Sequence, residues 1–240
     1  MISGGTRLIG LLGHPVAHSL SPRMQNAAFA ALALDYAYVP LDVPPERLEQ
    51  AVRALVTLGF AGANVTAPHK LAVARIVETA EPSVNTLVIR EDSVEGWTTD
   101  AAVLDGLPQE RPVIVGDGGS AAAFRQALPQ ARVYARRGDW PPDVRDADLV
   151  VHATSVRDDV LFGLEAGQTL VDLPYPETAT AAAARAAGAR VVGGLEVLVA
   201  QGAAAFELWT GVPAPVGVMR SALEGLDGER HAAPRPPTGS

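Results

Sequence analysis

Val113-Ile114-Val115-Gly116-Asp117-Gly118-Gly119-Ser120-Ala121 is the stretch on which the fold turns. Three branched apolar residues read as a buried strand, the glycines as a tight turn, and Ala121 to Leu128 as a helix. That order lets backbone N–H groups close on a pyrophosphate at a helix N-terminus. The pattern is G-x-G-x-x-A in the right context. A strand-to-helix turn that holds no ligand is the competing reading.

The same alternation runs outward in both directions. Upstream, Leu8 to Leu12, Tyr36 to Val43 and Gly62 to Val65 read as strands. Helices are predicted from Ser21-Pro22 (N-cap and first-turn proline) to about Ala33, from Pro45-Glu46 through Val56, and from about Pro68 to Thr79. Val84 to Ile89 and Val94 to Trp97 suggest a hairpin around Glu91-Asp92. Downstream, Arg132 to Ala135, Leu149 to His152 and Thr169 to Asp172 read as parallel strands, with helices at Thr178 to Ala187, Leu195 to Trp209 and Val216 to Leu226. The pattern restarts near Pro108, so the expected fold is α/β, in two α/β domains. The first has a mostly parallel sheet and the second is of the Rossmann type, a dinucleotide-binding fold. Gly228 to Ser240, rich in Pro, Gly and charge and without apolar period, reads as a disordered tail.

Composition narrows the class. The chain has 240 residues, 48% of them hydrophobic, enough for a proper core. With 19 basic and 27 acidic residues its net charge is −8, which argues against a general nucleic-acid binder. Cysteine is absent, which excludes disulfides, thiolate nucleophiles and Cys-ligated metals. The five histidines lack metal-ligand spacing, so no metal is expected. No apolar run is long enough for a bilayer, and the opening residues lack the order of a signal peptide, so a soluble, cytoplasmic protein is expected.

Twenty residues past Gly116 sits Arg136, followed by Arg137. NAD sites place an acid at the end of this strand, whereas an arginine suits a 2′-phosphate, so the spacing favours NADP. The bland alternative is a pair of solvated arginines. Asp117 puts a carboxylate in the proposed phosphate loop: costly if aimed at the pyrophosphate, harmless if aimed out.

Polar clusters fall where the first-half strands end: Ser19-Leu20-Ser21, Asn64-Val65-Thr66-Ala67-Pro68-His69-Lys70, Asn85-Thr86 and Thr98-Thr99-Asp100. Open α/β sheets bind ligands at such ends. Hydroxyls and amides suit the oxygens of a small polyol acid, and a Lys–Asp pair suits its proton. Ser21 also reads as an ordinary helix cap, Asp100 as another, Asn85 as a turn residue and Lys70 as a solvated lysine.

These segments resemble the motifs of the shikimate dehydrogenases. Gly13 to Pro22, with Asn26 and Phe29, is similar to that family's opening signature. Asn64 to Lys70 resembles its N-V-T-x-P-x-K, Val84-Asn85-Thr86 its A-V-N-T, and Thr99-Asp100 the end of its N-T-D. Gly116 to Ala121 resembles its glycine turn, Ala153-Thr154-Ser155 its N-A-T-S, and Gly194 to Gln201 its G-L-x-M-L-V-x-Q helix. The resemblance runs in order from about Leu8 to Pro213. It implies reduction of 3-dehydroshikimate to shikimate with NADPH, a step toward aromatic amino acids.

It also implies roles. Lys70 would be the acid/base residue, paired with Asp100. Ser19 and Ser21 would hold the substrate carboxylate, and Asn64, Thr66, Asn85, Asp100 and Gln201 its hydroxyls, with Tyr175 nearby. Gly116, Gly118, Gly119, Ser120, Ala121, Arg136, Arg137, Thr154 and Gly194 would serve NADP. Residues 1–106 and 194–227 would form the substrate domain and 107–193 the cofactor domain, in a monomer or homodimer.

The chain departs from the family pattern in places. Gln25 stands for His, Thr98 for the Asn of N-T-D, His152 for the Asn of N-A-T-S, and Ala135-Arg136-Arg137 for N-R-T. The segments between Lys70 and Asn85 and after Ser155 are short. Two other readings therefore stand beside the first: a relative with shifted specificity, acting on quinate or using NAD, and a ligand-binding relative without useful turnover.

Overall fold

The computed structural model describes residues 2–91 and 93–224. The expected tail, 228–240, the last residues of the final expected helix, and Asp92 of the expected hairpin lie outside the described residues. Among the described residues ten strands form two five-stranded sheets.

The first sheet has the order β2-β1-β3-β4-β5, from β1 (Arg7–Gly13), β2 (Tyr36–Asp42), β3 (Gly62–Val65), β4 (Thr86–Arg90) and β5 (Ser93–Trp97). The first three are parallel, and β4 and β5 form the antiparallel hairpin. Period-two alternation sends Ile9 and Leu11 of β1 to one core and Leu12 to the other. The Ile9 side is covered by α1 (Ser21–Ala31), α6 (Gly194–Thr210) and α7 (Val216–Ser221). Its centre is the Phe29–Phe206 stack, with ring centroids 5.2 Å apart, a geometry worth about 0.5–1.5 kcal/mol beyond area burial. Trp209 near the end of α6 donates to the Leu87 carbonyl of β4 at 2.9 Å. A two-pronged Arg220–Glu196 pair (2.8 and 2.9 Å) ties α7 to α6. The guanidinium holds the Glu196 carboxyl below its ordinary range. The other side packs on α2 (Leu48–Thr57), through Leu48, Val52 and Leu55.

The second sheet is parallel throughout, in the order β10-β9-β8-β6-β7, from β6 (Pro112–Val115), β7 (Arg132–Tyr134), β8 (Leu149–His152), β9 (Thr169–Asp172) and β10 (Arg190–Val192). Val113, Val115, Val150 and Leu170 face α5 (Ala179–Ala186), while Ile114, Leu149, Val151 and Val171 face Phe124 of α4 (Gly119–Ala127). No helix joins β7 to β8 or β8 to β9. Pro141-Pro142 in the first connection denies a helix its N–H donors.

Four elements differ from expectation. The helix predicted over 68–79 is a single turn, α3 (Lys70–Val73). Glu78 instead joins the sheet edge: its N–H donates to the Val94 carbonyl and its own carbonyl accepts from Gly96 at 2.8 Å, pulling the chain out of helical register. Pro45–Arg47 is a 3-10 turn before α2. Ser21 is the first helical residue rather than the cap, a position held by Leu20 without a side-chain bond. β10 had no sequence signal, being three residues led by an arginine.

Candidate active site

In each sheet one strand pair marks the point where the winding reverses, β1/β3 in the first and β6/β8 in the second. Ligands of open α/β sheets bind in the crevice outside such switch points. Many of the residues singled out from the sequence line these crevices, but Asn85, Ala121, Arg136 and Arg137 line neither.

At the first switch point is a polar cavity of about 190 Å³. Ser19, Ser21, Asn64, Thr66, Lys70, Asp100, Tyr175 and Gln201 line it, together with Gly194 and Ser120. Lys70, on the first turn of α3, donates to Asp100 Oδ1 at 2.8 Å and Oδ2 at 2.6 Å. Both side chains are largely buried (15% and 8% exposed), so the pair keeps more of its mutual attraction than a surface pair would. Asn85 is not in the lining. It lies behind Asp100, donating to Oδ1 at 2.8 Å and accepting from the Thr99 N–H at 2.8 Å. Its role in the geometry is to aim the carboxylate, and its amide also meets Gln201 Oε1 at 3.3 Å.

Asn64 is bound on three sides. Its amide donates to the Asn85 carbonyl (3.0 Å) and Thr86 Oγ1 (3.1 Å), and its Oδ1 accepts from the Tyr38 hydroxyl at 2.8 Å. Burial pushes the Tyr38 phenol far above its ordinary value, against a hydrogen bond with Ser21, so it remains a donor. Tyr175 is likewise raised by burial, against hydrogen bonds involving the Leu20 backbone and the Ser19 side chain. Tyr38 had no site signal in the sequence, since it acts through Asn64 on another strand, whereas Thr86 and Thr99 fell within the polar clusters without a role of their own.

The second crevice lies over the glycine turn. Gly116 to Ser120 form one wall and Ala153, Thr154 and Ser155 the other, with Lys70 at the edge. Gly116 has φ +139°, and a Cβ there would meet the Ala153 carbonyl oxygen at 2.5 Å, so both conformation and space demand glycine. Gly118 caps α4 in extended conformation with no side-chain bond to the first turn, leaving its N–H groups for an anion. Asp117 is exposed at this wall. Arg136 and Arg137 are exposed just past β7 and form no ion pair among the described residues. Arg136 lies over the Trp140 ring, 5.7 Å from its centroid. Gly194 lines the polar cavity, not this crevice, and packs under the Pro174 carbonyl. His152, fully buried at the end of β8, bridges Asp172 Oδ1 (2.6 Å) and Thr154 Oγ1 (2.7 Å).

The sequence profile of the shikimate dehydrogenase substrate binding domain matches residues 11–87, and that of the shikimate 5′-dehydrogenase C-terminal domain matches 194–224. A shikimate dehydrogenase (NADP(+)) of Anaeromyxobacter sp. (strain K) is 43% identical over an alignment of 281 positions, gaps included, covering 96% of this chain and 100% of that one. The chain belongs to the shikimate dehydrogenase family. Among solved shikimate dehydrogenases, that of Thermus thermophilus in complex with shikimate superposes with a TM-score of 0.82 at 30% identity, over 93% of this chain and 100% of the other. The same enzyme with NADP(H) and shikimate gives 0.80, over 90% and 98%. Besides His152, two departures from the family pattern have visible consequences. Gln25 is wholly buried and ties α1 to α6 through the Gly202 carbonyl at 2.9 Å. Thr98 leaves its Oγ1 buried without a partner among the described residues.

Proposed function

We propose that this chain is an NADP-dependent shikimate dehydrogenase that reduces 3-dehydroshikimate to shikimate, reversibly, with NADPH. The observation that carries the reading is the Lys70–Asp100 pair, which lines a small polyol-sized cavity while Lys70 also reaches the edge of the glycine-turn crevice. The substrate domain would comprise residues 1–106 and 194–227, and the cofactor domain 107–193.

Within the cavity, Ser19 and Ser21 hold the substrate carboxylate with neutral hydroxyls, assisted by the Tyr175 phenol. Asn64, Thr66 and Gln201 face the ring hydroxyls. NADPH, when bound, supplies the hydride. Negative charge then grows on the ketone oxygen, and the Lys70 ammonium stabilises it and delivers the proton. Asp100 keeps Lys70 oriented, and Asn85 keeps Asp100 oriented. The uncapped start of α4 and the Gly116 cradle fit a pyrophosphate, and the exposed Arg136 fits a 2′-phosphate.

The decisive experiment follows nicotinamide absorbance across shikimate and quinate with NADP and NAD. Shikimate with NADP should give the highest kcat/KM. Tight shikimate binding without turnover in any pairing would make the chain a binding relative instead.

Arg136→Ala should raise the KM for NADP about 10- to 100-fold, the worth of a charge-assisted bond to phosphate, and leave the KM for NAD nearly unchanged. Equal effects on both cofactors would mean that Arg136 reads no 2′-phosphate.

A further inference from the structure

Ser120 belongs by sequence to the phosphate turn, yet its side chain is engaged elsewhere. Lys70 Nζ donates to Ser120 Oγ at 3.0 Å. An ammonium has three N–H donors. Two bonds run to Asp100 at 2.6 and 2.8 Å, and Ser120 takes the third. Ser120 also lines both crevices. The approach of α4 to Lys70 is built into the sequence, because a Cβ on Gly119 would meet Lys70 Cβ at 2.8 Å and Ser83 Oγ at 3.2 Å.

We propose that Ser120 is a positioning residue for Lys70, contributed across the boundary between the two sheets. Its hydroxyl fixes the third N–H on the side of the glycine turn, where the cofactor's reactive end must lie for hydride to reach the substrate. An incoming ketone oxygen can gain an N–H only by displacing a partner already in place. Asp100 takes two of the three N–H groups, so it can release one to the ketone oxygen and still hold the ammonium by the other, while Ser120 keeps its own. Ser120 therefore stays bonded while the substrate reacts, and keeps the ammonium from turning wholly onto Asp100. This rests on the dehydrogenase reading given above.

The test exploits a feature of composition: Lys70 is the only lysine in the chain. Ser120→Ala should lower kcat about 3- to 10-fold, the worth of one neutral hydrogen bond, with the KM for NADP within about twofold of the unmodified protein. Ser120→Thr, which keeps the hydroxyl, should restore kcat. A rise in the KM for NADP with kcat kept would assign Ser120 to the phosphates and overturn the proposal, as would unchanged kinetics or failure of the threonine variant to recover. A second readout needs no turnover. Lysine labelled with 13C at Cε gives a single side-chain signal, which Ser120→Ala should shift and Ser120→Thr should return. An unmoved signal overturns the proposal even if the protein proves inactive with shikimate, a result that would instead count against the dehydrogenase reading.

Discussion

Lys70→Ala is expected to lower turnover about 10²–10⁴-fold, the range for loss of a positioned acid/base group. Three features put the effect at this site. The ammonium is mostly buried, so bulk water is a poor substitute proton donor. Its carboxylate partner is held by Asn85, itself bonded to Thr99, and is not free to take over. No other lysine exists in the chain, so no neighbouring amine can replace it. Lys70 lies at the edge of the glycine-turn crevice and contacts the turn through Ser120, so NADP affinity should change little and the loss should fall on kcat. Single-turnover absorbance measurements, with cofactor affinity from fluorescence titration, separate the two. Turnover within about tenfold of the parent protein, in a folded variant, would remove Lys70 from the acid/base role. Lys70→Arg is expected to fare little better, since a guanidinium keeps charge but rarely gives up its proton.

Much of this arrangement was legible beforehand for identifiable reasons. Strand positions followed from short continuous apolar runs: Val113, Ile114 and Val115 are buried on both faces of their sheet, alternating between two cores. Gly116 was legible because a backbone at φ +139° against the Ala153 carbonyl accepts no other residue. Lys70 and Asp100 stood out because they fall at element ends that converge on one switch point. Features that depend on register were hidden. Asn85 supports Asp100 instead of facing the cavity because β4 pairs antiparallel with β5, which places Thr99 against it. The reach of Ser120 to Lys70 depends on how the two sheets meet, and nothing local encodes that. The shortened α3 depends on Glu78 finding a strand edge. An amphipathic pattern is a sound guide to a helix only while no sheet edge competes for the same backbone groups.

The His152–Asp172 pair belongs to the same hidden class and carries the largest expected effect on stability. In β8 and β9 the two residues stand opposite each other in register, and both side chains are fully buried. Asp172 Oδ1 accepts from His152 at 2.6 Å, while among the described residues Oδ2 has only the Thr178 N–H at 3.4 Å. Removing the imidazole therefore strands a buried carboxylate at the end of β9 with one long bond among the described residues. Breaking a buried pair from one side costs about 3–5 kcal/mol. For a chain of this length that is a fall of about 6–20 °C in Tm. His152→Ala should show this in thermal or urea unfolding, and a loss below about 1 kcal/mol would mean that the pair is not a stabilising feature. His152→Asn separates polarity from size. Asparagine, which the family pattern places here, keeps an N–H that can point at Asp172, so most of the stability should return. It reaches less far than imidazole toward Thr154, whose hydroxyl His152 now fixes at 2.7 Å on the wall of the glycine-turn crevice. Stability and cofactor affinity should then part company, with His152→Asn recovering the first more fully than the second.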